Sequence, residues 1–227
     1  MLHKPLASMF MAVFFAFTLF FFFIVEFNAI LLAFLKIGIP SRYVFGALFA
    51  TLLGSFVNIP IKKIHGTAIV REGEGSVTLF GFKYVIPRTK ESATVIAVNL
   101  GGAVFPTIIS GYLLLKTGLY FSGLTGVLIM TALCYWLARP IEGVGIALPF
   151  FMPPLFAALL SVMISHHHAP VIAYVSGTLG ALIGADLLNL KHIGKLNAPI
   201  ASIGGAGTFD GIFLTGILAV LLSPFLS

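Results

Sequence analysis

Charge is what this chain has least of: only 9% of its 227 residues are charged, against 59% hydrophobic. Soluble domains carry near 25% charged and about 45–50% apolar residues, so a water-soluble globular fold is excluded. There is one cysteine, Cys134, and with no second thiol an intrachain disulfide is excluded as well. Acidic residues are scarcer than basic ones, seven against 13, for a net charge of +6. In a soluble protein that excess would point to nucleic acid. Here the Lys and Arg residues sit between apolar runs and read as topology signals and contacts to membrane lipids, so no nucleic-acid partner is expected. The apolar stretch after the short polar segment Met1 to Ala7 is too long for a signal peptide and has no small-residue cleavage site, which predicts a retained first helix.

At roughly 20 to 25 residues per crossing, the length predicts an all-α polytopic membrane protein. It has room for about seven transmembrane helices in a single domain, residues 1–227. The apolar runs place the spans at about Ser8 to Leu35, Tyr43 to Ile59, Ala93 to Leu115 and Leu119 to Ala138, then one through Pro153-Pro154 to Ser165, then Pro170 to Leu190, and a last one from Thr208. The first exceeds a ~30 Å hydrocarbon core at ~1.5 Å per residue, so it is tilted or projects. Between the second and third spans, residues 61–92 hold six of the basic and three of the acidic residues. Within this insert Thr67 to Arg71 and Val77 to Phe80 flank Gly73-Glu74-Gly75, and Phe82 to Ile86 continues the pattern, which predicts a small surface β-hairpin.

Loop charge predicts the orientation. The side with the N-terminus carries Lys4, the six basic residues of the insert, Arg139, Lys191 and Lys195, and the other side carries Lys36, Arg42 and Lys116. Basic residues concentrate in the cytoplasm, so the N-terminus and the hairpin are expected there.

The chain has two aspartates, Asp186 and Asp210, and both fall in expected spans. An acid in hydrocarbon costs about 2.5 to 3.5 kcal/mol even on insertion scales, so an intramembrane carboxylate is a functional hypothesis by default. Asp186 sits one turn before the end of the sixth span and Asp210 just inside the seventh, which puts them at similar depth on antiparallel neighbours. Asp210 alone would serve as a helix N-cap. Asp186 lies near a helix C-terminus, where the dipole repels an anion, and its plain alternative is a bond to Asn189 or Lys191. Two carboxylates at roughly 3 Å share one proton. The ionised member can activate water while the protonated one polarises a carbonyl, a route to peptide hydrolysis that needs neither metal nor cofactor. Gly205 and Gly207 keep backbone bulk low where a substrate strand must approach, and Thr208 is expected beside that approach.

The segments GGAGTFDGIFLTG (Gly204 to Gly216) and GADLLNL (Gly184 to Leu190) closely resemble a family of uncharacterised prokaryotic integral membrane proteins, and the likeness covers most of the chain. More distantly, the pattern resembles the GxGD intramembrane aspartyl proteases, which include presenilin, signal peptide peptidase and the prepilin peptidases. The protease resemblance implies an aspartic endopeptidase with Asp186 and Asp210 as its dyad and transmembrane proteins as substrates, and the first resemblance implies a prokaryotic cytoplasmic membrane as its location. The protease resemblance also makes Ala147-Leu148-Pro149 the analogue of a substrate-contacting Pro-Ala-Leu element. Three features differ: two residues separate Gly207 from Asp210, Ala185 stands where that family has Tyr, and Ala147-Leu148-Pro149 precedes both aspartates.

A second class of function competes. Glycine and proline breaks, at Asn99-Leu100-Gly101-Gly102 and before the last span, are also how transporters build ion sites. A proton- or cation-coupled transporter or channel would use the same aspartates with Asn99 as partner. The remaining polar residues read more plainly. His166-His167-His168 form a solvated outer loop, Glu26 lies at the outer interface beside Asn28, and Glu142 is a loop residue or lines a re-entrant segment.

Overall fold

The computed structural model describes residues 4–65, 76–79, 82–85, 93–141, 145–195, 198, 200–205 and 211–226. The fold is mostly helical, with helices α1 (Lys4–Lys36), α2 (Ser41–Gly54), α3 (Phe105–Thr117), α4 (Tyr120–Leu137), α5 (Met152–Ile164), α6 (Ala169–Ala181) and α7 (Gly211–Leu222). Strands are β1 (Asn58–His65), β2 (Ser76–Leu79), β3 (Phe82–Val85), β4 (Ala93–Asn99), β5 (Arg139–Ile141), β6 (Gly145–Ala147) and β7 (Ile200–Ile203). Among the described residues, four helical stretches are long and apolar enough to cross a membrane: Val13–Lys36, Leu100–Thr117, Tyr120–Leu137 and Ala169–Leu187. Met152–Ile164 and Gly211–Phe225 are shorter apolar helices.

Helix ends follow local chemistry. Prolines stand in the first turn of α3, α5 and α6, where a missing N–H costs nothing. Gly118, at φ +69°, ends α3 in the left-handed conformation.

α6 is the axis of the fold. From Ala169 to Ala181 every residue but Pro170 and Leu179 is buried. Its small residues let neighbours close in: Gly177 meets Ala157 of α5 and Thr215 of α7, and Gly180 meets Met130 of α4. One apolar cluster gathers Met130, Cys134, Ala157, Ala181 and Leu182 with the sheet residues Ile96, Ala201 and Ile203. The other joins Ile30 and Phe34 of α1, and Ile37 just beyond it, to Val44, Tyr174, Phe213 and Ile217. Where these helices lie in hydrocarbon, the contacts stabilise through close van der Waals packing rather than removal from water.

The purely α expectation needs correction. The first part of the expected third span, Ala93–Asn99, is a strand. Thr94, Val95, Ile96 and Val98 are β-branched, and an apolar run of this length does not by its period distinguish strand from helix. β4 forms the centre of a three-stranded sheet ordered β1-β4-β7, antiparallel to β1 and parallel to β7. A π-helical turn, Leu100–Val104, then leads into α3. The insert does contain a hairpin, β2 with β3 closing at Leu79 and Phe82. The strand expected at Thr67 to Arg71 lies outside the described residues. Ile141 and Gly145 close a further small hairpin, β5–β6, in the Pro- and Gly-rich passage.

Candidate functional site

α6 does not end as an α-helix. Leu182–Leu187 form a π-helical segment, in which the Leu188 N–H reaches the Ile183 carbonyl at 2.9 Å, five residues back. The cause lies in the next turn. The buried Asn189 donates both amide hydrogens, to the carbonyls of Gly184 (3.1 Å) and Ala185 (3.0 Å), while His192 Nδ1 lies 3.2 Å from its Oδ1. Carbonyls that an α-helix would leave unpaired at its C-terminus are thereby satisfied. Gly184 admits α4, since a Cβ there would overlap the Thr131 carbonyl. An inserted residue rotates whatever follows it, and π-helical insertions recur at functional sites.

The rotated residue is Asp186. Its side chain is half-buried, and its Oδ2 accepts a hydrogen bond of 2.7 Å from the backbone N–H of Gly204, at the end of β7. Asn189 spends its side-chain amide on Gly184 and Ala185, and its backbone N–H donates to the Asp186 carbonyl at 3.2 Å. Gly204 and Gly205 have φ of +87° and +85°, backbone that side chains rarely adopt.

Gly204 is also locked from behind. A Cβ on Gly102 would overlap the Gly204 carbonyl oxygen, and one on Gly101 would overlap the Thr51 carbonyl. Two Gly-Gly turns, each following a strand and preceding a helix, thus interlock at the open end of the β4–β7 pair. Asn99 braces the first. It is fully buried, donates to the Ser55 carbonyl (2.7 Å) and Asn58 Oδ1 (3.1 Å), and accepts from the Gly102 N–H (2.8 Å). The Ser202 hydroxyl donates to the same Asn58 oxygen at 2.6 Å, tying β7 to β1.

Of the residues expected to approach a substrate, Ala147 closes β6 and the partly buried Leu148 packs on the cluster containing Leu182. Both β6 and β7 pack against the segment carrying Asp186, and β7 is a terminal strand of its sheet. Pro149 follows in the connection to α5. Gly205 is half-buried beside Gly204. Gly207, Thr208 and Asp210 lie outside the described residues, as do Glu142 and the side chain of Glu26. The histidines His166 to His168 are exposed, with Ser165 Oγ 3.4 Å from His168 Nδ1. Among the described residues there is no group of three or more His, Cys, Asp or Glu able to hold a metal ion.

Sequence reasoning read Gly102 only as part of a break and Gly184 only as part of a family-like segment, and gave His192 no role. Gly102 and Gly184 carry no chemistry of their own, and only their close approaches reveal them. The bundle interior also holds the buried hydroxyls of Ser110, Thr131, Tyr174, Ser176 and Thr178 without hydrogen-bond partners among the described residues.

Residues 52–222 match the family model described as "Protein of unknown function (DUF1614)", and the chain belongs to that family. No curated protein and no solved structure matches it.

Proposed function

We propose that this DUF1614 protein is an intramembrane aspartyl endopeptidase, with Asp186 and Asp210 sharing one proton. The observation that carries the reading is the bond from the Gly204 N–H to the Asp186 carboxylate. It fixes one acid against the first residue of the glycine-rich segment that ends in the other.

Helix packing adds support. Gly216 of α7 lies against Thr178 and Tyr174 of α6. From that crossing, Gly211 is five residues back along α7, about 7.5 Å, and Asp186 is eight residues on along α6, about 12 Å or somewhat less through the π segment. Asp210 immediately precedes Gly211. Gly211 and Asp186 thus lie at comparable distances along α7 and the α6 continuation from that crossing, which supports reading the two acids as a pair.

In the reaction, the ionised carboxylate takes a proton from water as the oxygen attacks the peptide carbonyl carbon. The protonated carboxyl gives its proton to the carbonyl oxygen. Collapse of the tetrahedral gem-diol breaks the C–N bond: one hydroxyl returns its proton to the carboxylate that protonated the carbonyl oxygen, and the leaving nitrogen is protonated by the acid that first took the water's proton, which restores the shared proton. An unwound stretch of a transmembrane substrate pairs with the outer edge of β7 and passes the β5–β6 hairpin, since main-chain hydrogen bonds hold an extended peptide with little sequence demand.

The proposal includes a multi-pass location in a cytoplasmic membrane with the N-terminus inside. Exposed Tyr135 and Trp136 followed by Arg139 support an inner interface at the end of α4. Arg42 over Tyr43 (4.6 Å) and Lys116 over Tyr112 (5.7 Å) mark the outer one.

Ion-coupled transport through the same acids is the competing reading. Asn99, its expected third partner, spends both amide hydrogens and its oxygen on the fold, which favours hydrolysis.

The test is cleavage of single-span reporter proteins by the purified chain in proteoliposomes. The wild type cuts and neither Asp186→Asn nor Asp210→Asn does. A wild type that instead carries proton or cation flux lost in both variants, with no cleavage, makes the protein a transporter.

A further inference from the structure

β1 is a terminal strand of the three-stranded sheet, and its chemistry changes abruptly along its length. Phe56, Val57, Ile59 and Ile61 are exposed, Phe56 by 72% and Ile61 by 63%. Lys62 and Lys63 follow at once and are exposed too. The pairing skips Ile61, since Pro60 faces Ala97 and Lys62 faces Ile96, so Ile61 is the extra residue of a bulge. Lys62 and Lys63, opposite Ile96 and Val95, project from opposite faces of the strand. Neither lysine forms an ion pair among the described residues, and the sequence offers no acid until Glu72.

Exposed apolar side chains cost free energy in water and none in hydrocarbon, whereas an ammonium belongs at the level of the headgroups. Phe56 to Lys63 thus has the pattern of a chain climbing from acyl chains into a phosphate layer. A bulge on a terminal strand with lysines beside it also deters pairing with another strand, which argues against a protein partner on this edge.

We propose that β1 is a binding site for an anionic phospholipid, with Lys62 and Lys63 clasping its phosphate from the two faces of the strand and Phe56, Val57, Ile59 and Ile61 lying along its acyl chains. The proposal rests on the membrane placement given above and not on hydrolysis. The bound lipid steadies β1, and through β4 it steadies β7 and the Gly204 N–H that holds Asp186.

The test is thermal unfolding of the full-length protein in a neutral detergent with added phosphatidylglycerol, phosphatidylcholine or inorganic phosphate. Phosphatidylglycerol raises the wild-type Tm by roughly 2 to 4 °C beyond phosphatidylcholine, and phosphate alone does nothing. The double variant Lys62→Gln/Lys63→Gln keeps its Tm in phosphatidylcholine and loses the extra shift. Lys36→Gln/Arg42→Gln, at the other end of the bundle, retains it. Equal shifts with both lipids, an equal shift with phosphate, or a full shift in the Lys62/Lys63 variant would each overturn the proposal.

Discussion

The Asp186 carboxylate and the Gly204 backbone N–H meet at 2.7 Å, joining the end of α6 to the end of β7 across eighteen residues of chain. A charge-assisted bond of this kind is stronger than a neutral one. It holds the acid in a fixed direction against the end of β7. The relationship makes Asp186 both a fold contact and a candidate catalytic residue, and the two roles separate by substitution.

Asp186→Asn keeps an oxygen for the Gly204 N–H and so keeps the fold, but it cannot share a proton. Peptide cleavage is expected to fall by at least about 10³-fold with an unchanged melting temperature. Asp186→Leu orphans the N–H and also lowers stability, by about 1–3 kcal/mol. A melting curve and a cleavage assay on both variants check this, and an Asn variant that still cuts at the wild-type rate would remove Asp186 from the chemistry.

Gly102→Ala is expected to be severely destabilising, because its Cβ would overlap the Gly204 carbonyl, a backbone atom that cannot swing away. The loss should exceed about 3 kcal/mol, at the extreme of single substitutions. Gly111→Ala in α3 meets nothing within 4 Å and should gain about 0.5–1 kcal/mol as a helix-interior change. Denaturant unfolding of the pair compares them directly.

Asn99→Leu keeps the volume but orphans the Ser55 carbonyl and the Gly102 N–H, both drawn into the bond set of Asn99. A loss of about 2–4 kcal/mol is expected from the same unfolding measurement. If ion coupling were the role of Asn99, stability would instead be held and flux alone would change.

Tyr174→Phe removes a buried hydroxyl that has no partner among the described residues, and leaves the ring edge-on to Phe34 at 6.5 Å. Stability should hold or rise by up to about 1 kcal/mol. A clear fall in Tm would show that the hydroxyl is bonded in the membrane.

Much of this was legible from residue patterns alone, because long apolar runs announce themselves. The expected span at about Leu119 to Ala138 is the apolar helix α4 at Tyr120–Leu137, and the expected fifth stretch is the shorter apolar helix α5, ending at Ile164 against an expected Ser165. β4 was not legible as a strand. Its partners are β1 and the far more distant β7, and a parallel pairing such as Val98 with Ile203 leaves no local trace. The glycines at 101–102 and 204–205 could be read as breaks, but not as two breaks that lock into each other. Asp186 was legible as an anomaly near a helix C-terminus. The π-helical insertion that aims it and the Gly204 N–H that receives it depend on tertiary contacts of Asn189 and β7.

The most direct test of the central claim is the separation of the Asp186 and Asp210 carboxyl groups in an experimental structure of the protein in lipid nanodiscs. A shared-proton dyad requires roughly 3 to 6 Å, bridged directly or by one water. A separation beyond about 10 Å, with packed side chains between, is more than one water can join and would contradict hydrolysis by this pair.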